Sequence, residues 1–438
     1  MVRHGLSLGG PPGVIASYGS TWTEVRRTSL HILKDFGFGK YAMEEDIEED
    51  LDNLILHIKT NCLNTPLDVS HFFNNTVLSS LWRIISGESL KIGDSKLNNL
   101  IAISREMLLQ FANPLTWISL TSVPLYKFME LVGLVKIGVP IDMLFQYCDE
   151  LIESQMNKSV DGENSLTFIE AFLHKIQTTK DSSHPLYGQR GILNLRNTIL
   201  DMFIAGSDTI TTTLNWAMLY MILYPDIQKK VREELNANIG SRNAKMSDRN
   251  QTPYTEAVIH ETHRKGSIVP TSLFHNSTQP LSVGDYQIYK DTLIIPMLRK
   301  IMHDPEYFHE PDRFDPERYL SIQDDGTLKF TPNPKVVPFA IGKRRCLGES
   351  FARISVYKSF SSLIQNFEIV SGQENPLQDK PNGGFVSGPM EYKLKFMRVR
   401  NLSTGATGAT AVAPKFSDNL TLSPPGRTEF THHRRGRN

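Results

Sequence analysis

The apolar positions of this chain recur mostly at helical spacing. Trp22, Val25, Arg26, Leu30, Leu33 and Phe36 follow one another near the helical period, and Gly37 and Gly39 break the run, which predicts a helix from Thr21. Glu44, Glu45, Asp46, Glu48, Glu49 and Asp50 mark a second helix, and such an acidic run is a solvated face. The same spacing predicts helices over 69–85, 96–111, 141–157 and 166–178. Between two of them, 113–139 is apolar and rich in turn residues. It reads as a core-packing loop, with a flexible cap over a lipophilic pocket as the alternative.

Residues 192–224 read as one long helix ended by Pro225. Its middle groups Gly206, Ser207, Asp208 and Thr209, poor helix formers in an otherwise apolar stretch. Helices are predicted over 226–236 and 255–264, short strands over 281–288 and 292–296, and proline-rich coil over 304–335. A loop at 339–348 then leads into a last helix at 349–365. The fold class is mainly α with a minor β component (α+β). From Asn401, Gly, Ala, Thr and Ser dominate, which predicts a disordered tail over 401–438 behind one domain over 1–400.

Composition narrows the function. A chain of 438 residues that is 40% hydrophobic can bury a sizeable core. Lys+Arg and Asp+Glu both total 47, so nothing in the charge points to nucleic acid as a partner. Cys62, Cys148 and Cys346 form no CxxC pair, which argues against a zinc ribbon or a disulfide framework and fits a reducing compartment. No run of about 20 apolar residues and no secretory leader is visible in this sequence.

One cysteine stands apart by its surroundings. Phe339-Ala340-Ile341-Gly342-Lys343-Arg344-Arg345-Cys346-Leu347-Gly348 places a single cysteine between glycines, just before a helix. Gly342 and Gly348 allow a sharp turn and close approach to a flat ligand. Basic neighbours and a helix start favour thiolate over thiol. Phe339 offers an apolar cover, and Arg344 can pair with a ligand carboxylate. Taken alone, a buried, inert cysteine in a basic turn is the plainer reading. Elsewhere, Glu261 and Arg264 share a helix face at i,i+3 and can pair. Thr209 can bond back to a carbonyl and open its helix locally, and Gly206 removes a side chain where a ligand could approach.

The pattern Phe-x-x-Gly-x-Arg-x-Cys-x-Gly resembles the heme-binding loop of the cytochrome P450 family, and the resemblance runs from about Gly13 to Arg400. Asp315-Pro316-Glu317-Arg318-Tyr319 is similar to the family's Pro-Glu-Arg-Phe segment, with Tyr for Phe, and Ala205-Gly206-Ser207-Asp208-Thr209 resembles its oxygen-activation segment. Phrases such as Phe36-Gly37-Phe38-Gly39-Lys40 point to the microsomal family-2-like clan. The resemblance implies heme b (iron protoporphyrin IX) with Cys346 as its iron ligand. It implies a brace of Glu261, Arg264 and Arg318, and proton relay by Asp208 and Thr209. Trp22, Arg26, Ala205, His275, Phe339, Arg344 and Gly348 would contact the heme, and Phe203, Ile268, Leu273 and Phe385 would line a substrate pocket.

The implied activity is a monooxygenase on the cytoplasmic face of the endoplasmic reticulum. It would insert one atom of O2 into a lipophilic small molecule with electrons from NADPH-cytochrome P-450 reductase, cytochrome b5 being a possible second donor. Membrane association is a family expectation without an anchor in this sequence. The sequence opens inside the loop before the Trp22 helix, which implies that the family's anchor, first helix and first strands lie outside it. The strands at 281–288 and 292–296 would then show a bare edge. Lys265 and Gly266, where the family favours an apolar or aromatic residue, would loosen the turn after Arg264. The alternative reading is an inactive or heme-binding-only fragment. A heme-thiolate isomerase is disfavoured by the Asp208-Thr209 pair.

Overall fold

A computed structural model describes residues 13–38, 41–70, 72–88, 95–119, 122–136, 138–156 and 167–399. The predicted tail over 401–438 lies outside the described residues. The helices are α1 (Gly19–Asp35), α2 (Tyr41–His57), α3 (Asn74–Ser86), α4 (Ser95–Ala112), α5 (Pro114–Ser119), α6 (Val123–Leu131), α7 (Gly138–Met156), α8 (Phe168–Thr178), α9 (Gly188–Leu223), α10 (Pro225–Asn238), α11 (Pro253–Gly266), α12 (Leu298–Met302) and α13 (Glu349–Asn366). Strands are short: β1 (Leu67–Asp68), β2 (His275–Asn276), β3 (Leu281–Val283), β4 (Tyr286–Ile288), β5 (Leu293–Ile294), β6 (Leu320–Ile322), β7 (Leu328–Phe330), β8 (Phe367–Ser371) and β9 (Lys393–Arg398). The architecture is the mainly α, minor β class that the pattern predicts.

Helix α9 has 36 residues, about 54 Å at the helical rise, and packs against α3, α7, α8, α11 and α13. It tolerates its poor helix formers because their hydroxyls bond to carbonyls one turn back. Thr198 donates to Asn194 O at 2.7 Å, Thr209 to Ala205 O at 2.8 Å and Thr213 to Thr209 O at 2.9 Å. Helix α11 starts with Pro253, which lacks the N–H a first turn cannot use. Glu234 of α10 accepts the next two amides, Tyr254 N and Thr255 N, each at 2.7 Å.

Several expectations change. The apolar stretch over 113–139 is not a core-packing loop. It holds α5 and α6, and many of its apolar side chains face solvent: Ile118, Phe128, Leu131, Val132 and Leu134 are all exposed. The helix expected from 69 begins at Asn74, because Leu67 and Asp68 pair with β9 instead. Coil was expected over 304–335, yet β6 and β7 form a hairpin there. Strands β8 and β9, beyond the last predicted helix, complete a three-stranded sheet in the order β1-β9-β8. The 281–288 run is a hairpin that turns at Gly284, and β5 pairs with β2. These segments therefore pair locally, though Val283, Tyr286 and Leu293 remain exposed.

The turn after Arg264 is tight rather than loose. A Cβ on Gly266 would lie 3.1 Å from the Trp216 ring, and buried Lys265 pairs with Asp379 at 2.7 Å.

Candidate active site

The loop between Phe339 and Gly348 turns on two left-handed residues, Ala340 at φ 56° and Gly342 at φ 75°. A single 3-10 turn, Gly342–Arg344, follows, and the Cys346 amide donates back to Phe339 O at 2.9 Å. Gly348 ends the loop at the start of α13, and a Cβ on Gly342 or Gly348 would meet nothing within 4 Å. One face of the loop is therefore open. Cys346 is solvent-accessible, yet burial is the largest influence on its thiol and raises its pKa. A residue both accessible and closely surrounded lies on the floor of a recess.

The sequence favours a thiolate here, and the structure weights the balance differently. Burial raises the thiol, the Gly348 amide pulls it down, Glu349 raises it, and Arg26 and Arg345 lower it, with burial winning.

Beside the recess stand Trp22 and Arg26 of α1 and Arg344 of the loop. The Arg344 guanidinium lies 4.2 Å from the Trp22 ring centre, and Arg26 lies 5.8 Å from it. Arg344 donates to the carbonyls of Val14 (3.3 Å) and Ser17 (2.6 Å), and Arg26 donates to the carbonyl of Arg345 (2.6 Å). Burial lowers the pKa of both arginines. Among the described residues neither forms an ion pair, and the buried Trp22 Nε1 has no acceptor. His275 on β2 lies close enough to Arg344 for that charge to lower its pKa, after burial as the larger cause.

Two half-buried cations and an orphaned indole N–H form a site that lacks an anion. The two propionates of heme are such anions, and the open Cys346 sulfur would offer its iron a donor. These residues fit the group that the motif implies.

On α9, Ala205 is exposed although Phe203, Ser207 and Ile210 around it are buried, so the helix presents a small residue to open space. Asp208 is pushed above the usual carboxylate range by burial, against the pull of Arg105. Gly206 does not face a ligand: a Cβ there would lie 2.3 Å from Leu81 Cδ2 of α3, so the glycine allows helix packing. Phe203 likewise sits in the core, edge-on to Trp82 at 5.5 Å, where a pocket contact was expected. Leu273 is exposed. Ile268 and Phe385 are half-buried on segments joined by the bond from Ser387 N to Ile268 O at 2.7 Å.

Glu261 and Arg264 are fully buried. Arg264 donates to Glu261 through Nε at 2.7 Å and Nη2 at 2.8 Å, and Arg318 Nε approaches Glu261 at 3.4 Å. Tyr319, the departure from the family's Phe, donates its hydroxyl to Glu261 at 2.6 Å, and the Asp315 amide donates at 3.0 Å. Tyr319 also joins an apolar cluster with Val336, against which Val337 and Ala340 pack, so the brace reaches the cysteine loop. A second link was not foreseen. His263, held neutral by burial with a pKa of about 3, meets the Phe339 ring edge-on at 5.5 Å.

Sequence reasoning also passed over Asp201. Its carboxylate accepts the amides of Val14 at 2.6 Å and Ile15 at 2.9 Å, and a Cβ on Gly13 would lie 2.6 Å from it. The segment that Arg344 grips from one side is thus held to α9 from the other. A charged residue on an apolar helix face was the available signal.

A family model described as cytochrome P450 matches residues 3–396. Cytochrome P450 2B19 of Mus musculus is 31% identical over 396 residues, covering 88% of this chain and 77% of its own length. Cytochrome P450 2G1 of Oryctolagus cuniculus is 32% identical over 393 residues, with coverage of 87% and 76%. Cytochrome P450 2C3 of the same species is 33% identical over 397 residues, with coverage of 88% and 78%. With the cysteine loop, the buried brace and the long central helix in place, the chain belongs to the cytochrome P450 family of heme monooxygenases.

Proposed function

We propose that Cys346 is the axial ligand of heme b and that the chain hydroxylates lipophilic small molecules with electrons passed from NADPH by a flavoprotein reductase. The observation that carries this reading is the set of Arg26, Arg344 and Trp22 Nε1 beside the Cys346 recess, without an anionic partner among the described residues. Arg26 and Arg344 hold the two propionates, Trp22 and His275 add N–H donors, and Phe339, Ala205 and Gly348 shape the faces. When bound through a thiolate, the heme supplies dioxygen activation.

The protein's own residues then have separable tasks. Thr209, whose hydroxyl donates to Ala205 O at 2.8 Å, holds a proton beside the small residue that leaves room on α9. Asp208, raised by burial, is the acid that resupplies it. Glu261, Arg264 and Arg318 keep the loop in place and touch no substrate. Ile268, Leu273 and Phe385 form an apolar wall, which selects lipophilic substrates. Residues 1–400 form the catalytic domain. Family-2 relatives support association with the endoplasmic reticulum, although no helix among the described residues is long and apolar enough to cross a membrane.

The reduced, CO-bound difference spectrum of the purified chain tests the reading. A thiolate-type Soret band, lost in Cys346→Ala with the far-UV circular dichroism retained, is the expected result. No heme uptake, or a spectrum indifferent to Cys346→Ala, refutes it.

A further inference from the structure

Trp216 lies on α9, beyond Thr209 by about 10 Å along the helix. It is 1% exposed, and its indole meets two distant segments at once. On one side the ring lies against Gly266, where a Cβ would stand 3.1 Å from Cγ and 3.2 Å from Cδ1. On the other, Nε1 donates to Ser387 O at 2.9 Å, across 171 positions. Ser387 N in turn donates to Ile268 O at 2.7 Å. The indole, Ser387 and the backbone after Gly266 therefore hold one another.

Each segment carries a wall residue beside its contact with the indole. Ile268 follows Gly266 closely, and Phe385 shortly precedes Ser387. The Phe385 ring lies 6.2 Å from that of Phe111 on α4. The loop that bears Phe385 lies between β8 and β9, outside both strands, and is closed by its own groups. Asn382 N donates to Gly388 O at 2.9 Å, and Asn382 Oδ1 accepts Gly384 N and Gly388 N, each at 3.1 Å. Those bonds give the loop a shape, and the bond from Trp216 gives it a place. The indole itself is locked, because it stacks on Tyr220 at 5.4 Å and Tyr220 stacks on Phe314 at 4.3 Å. Any side chain at 266 would take space that the indole fills, which accounts for the glycine there.

We propose that Trp216 is a specificity-determining positioning residue: the buried indole, seated on Gly266 and bonded to Ser387, sets where Ile268 and Phe385 stand as walls of the substrate pocket. The proposal rests on the apolar-wall reading above and deepens it. Trp216 touches no substrate and acts through the two backbones it holds. Because the same helix carries Ala205 and Thr209, the indole also fixes the wall relative to the open space on α9.

The test uses the heme-loaded full chain and N-alkylimidazoles from methyl to octyl, with affinity read from the Soret shift. The methyl compound reports the site beside Cys346, and the ratio of octyl to methyl affinity reports the wall. Trp216→Phe, which leaves Ser387 O without its donor, should lower that ratio several-fold with methyl affinity unchanged. Gly266→Ala, which displaces the ring but keeps the N–H, should lower it as well, and decides alone if Trp216→Phe does not retain the CO-bound Soret band. Trp82→Phe is the control, a buried tryptophan of α3 packed on Phe203, and should lower thermal stability with the ratio unchanged. If Trp216→Phe and Gly266→Ala cost stability but leave the ratio as in wild type, Trp216 is a core residue and the proposal is refuted. If Trp82→Phe shifts the ratio as far, general loosening is the cause and the proposal is again refuted. If wild type binds the octyl compound no better than the methyl, the apolar-wall reading falls, and the proposal falls with it.

Discussion

Replacing Glu261 with alanine gives the largest stability change that the geometry implies. Glu261 and Arg264 are both 0% exposed, and five donors converge on the carboxylate: Arg264 twice, Arg318, Tyr319 and the Asp315 amide. Without it, Arg264 keeps the carbonyls of Met302 at 2.9 Å and Arg313 at 3.1 Å and the Phe308 ring at 5.1 Å, and its buried charge has no counterion among the described residues. Stranding one member of a buried pair costs about 3–5 kcal/mol. Tyr319→Phe removes a single hydrogen bond to a charged group and restores the family's residue, so about 1.5–3 kcal/mol bounds its cost. Urea unfolding of the heme-loaded chain measures both, with unchanged slopes confirming that the compared states are alike. Heme retention should follow the same order, because the brace reaches the loop through Tyr319, Val336 and Ala340. If Glu261→Ala costs under about 1 kcal/mol, or no more than Tyr319→Phe, the buried pair is not what anchors this region.

Two further outcomes come from unsatisfied or displaced groups. Trp22→Phe removes the buried, unpartnered indole N–H, so the heme-free chain should gain about 1–3 kcal/mol while heme is lost faster; apoprotein unfolding and heme transfer to a scavenger check this, and equal effects in both forms would refute it. Burial raises Asp201 to about 7 from an unfolded value of 3.8, so the native state keeps a proton that the unfolded chain has released. Its contribution to stability is therefore present at low pH and is lost as pH rises through the folded pKa of about 7. Asp201→Asn, whose amide oxygen can still accept the Val14 and Ile15 amides, should gain on wild type between those two pH values and run parallel to it above. Unfolding series at spaced pH values check this, and parallel curves throughout would refute it.

The sequence alone determined the local features. A 36-residue helix shows in its apolar period, and the loop around Cys346 shows in a contiguous motif, because both are set by residues within one or two turns. Glu261 and Arg264 could be paired on paper for the same reason. What the tertiary structure decided involves partners far apart in sequence. Strands of two or three residues are too short to carry an alternating pattern, and β1 exists only because β9 lies beside it. Gly206 looked suited to a ligand and proved to serve Leu81 across a helix contact. Asp201 holds amides that are 187 and 186 positions away, which no local pattern encodes. The thiol of Cys346 shows the division most clearly. Neighbouring charges readable in the motif favour the thiolate, but how deeply the sulfur is surrounded depends on chain segments folded around it, and that burial outweighs the charges.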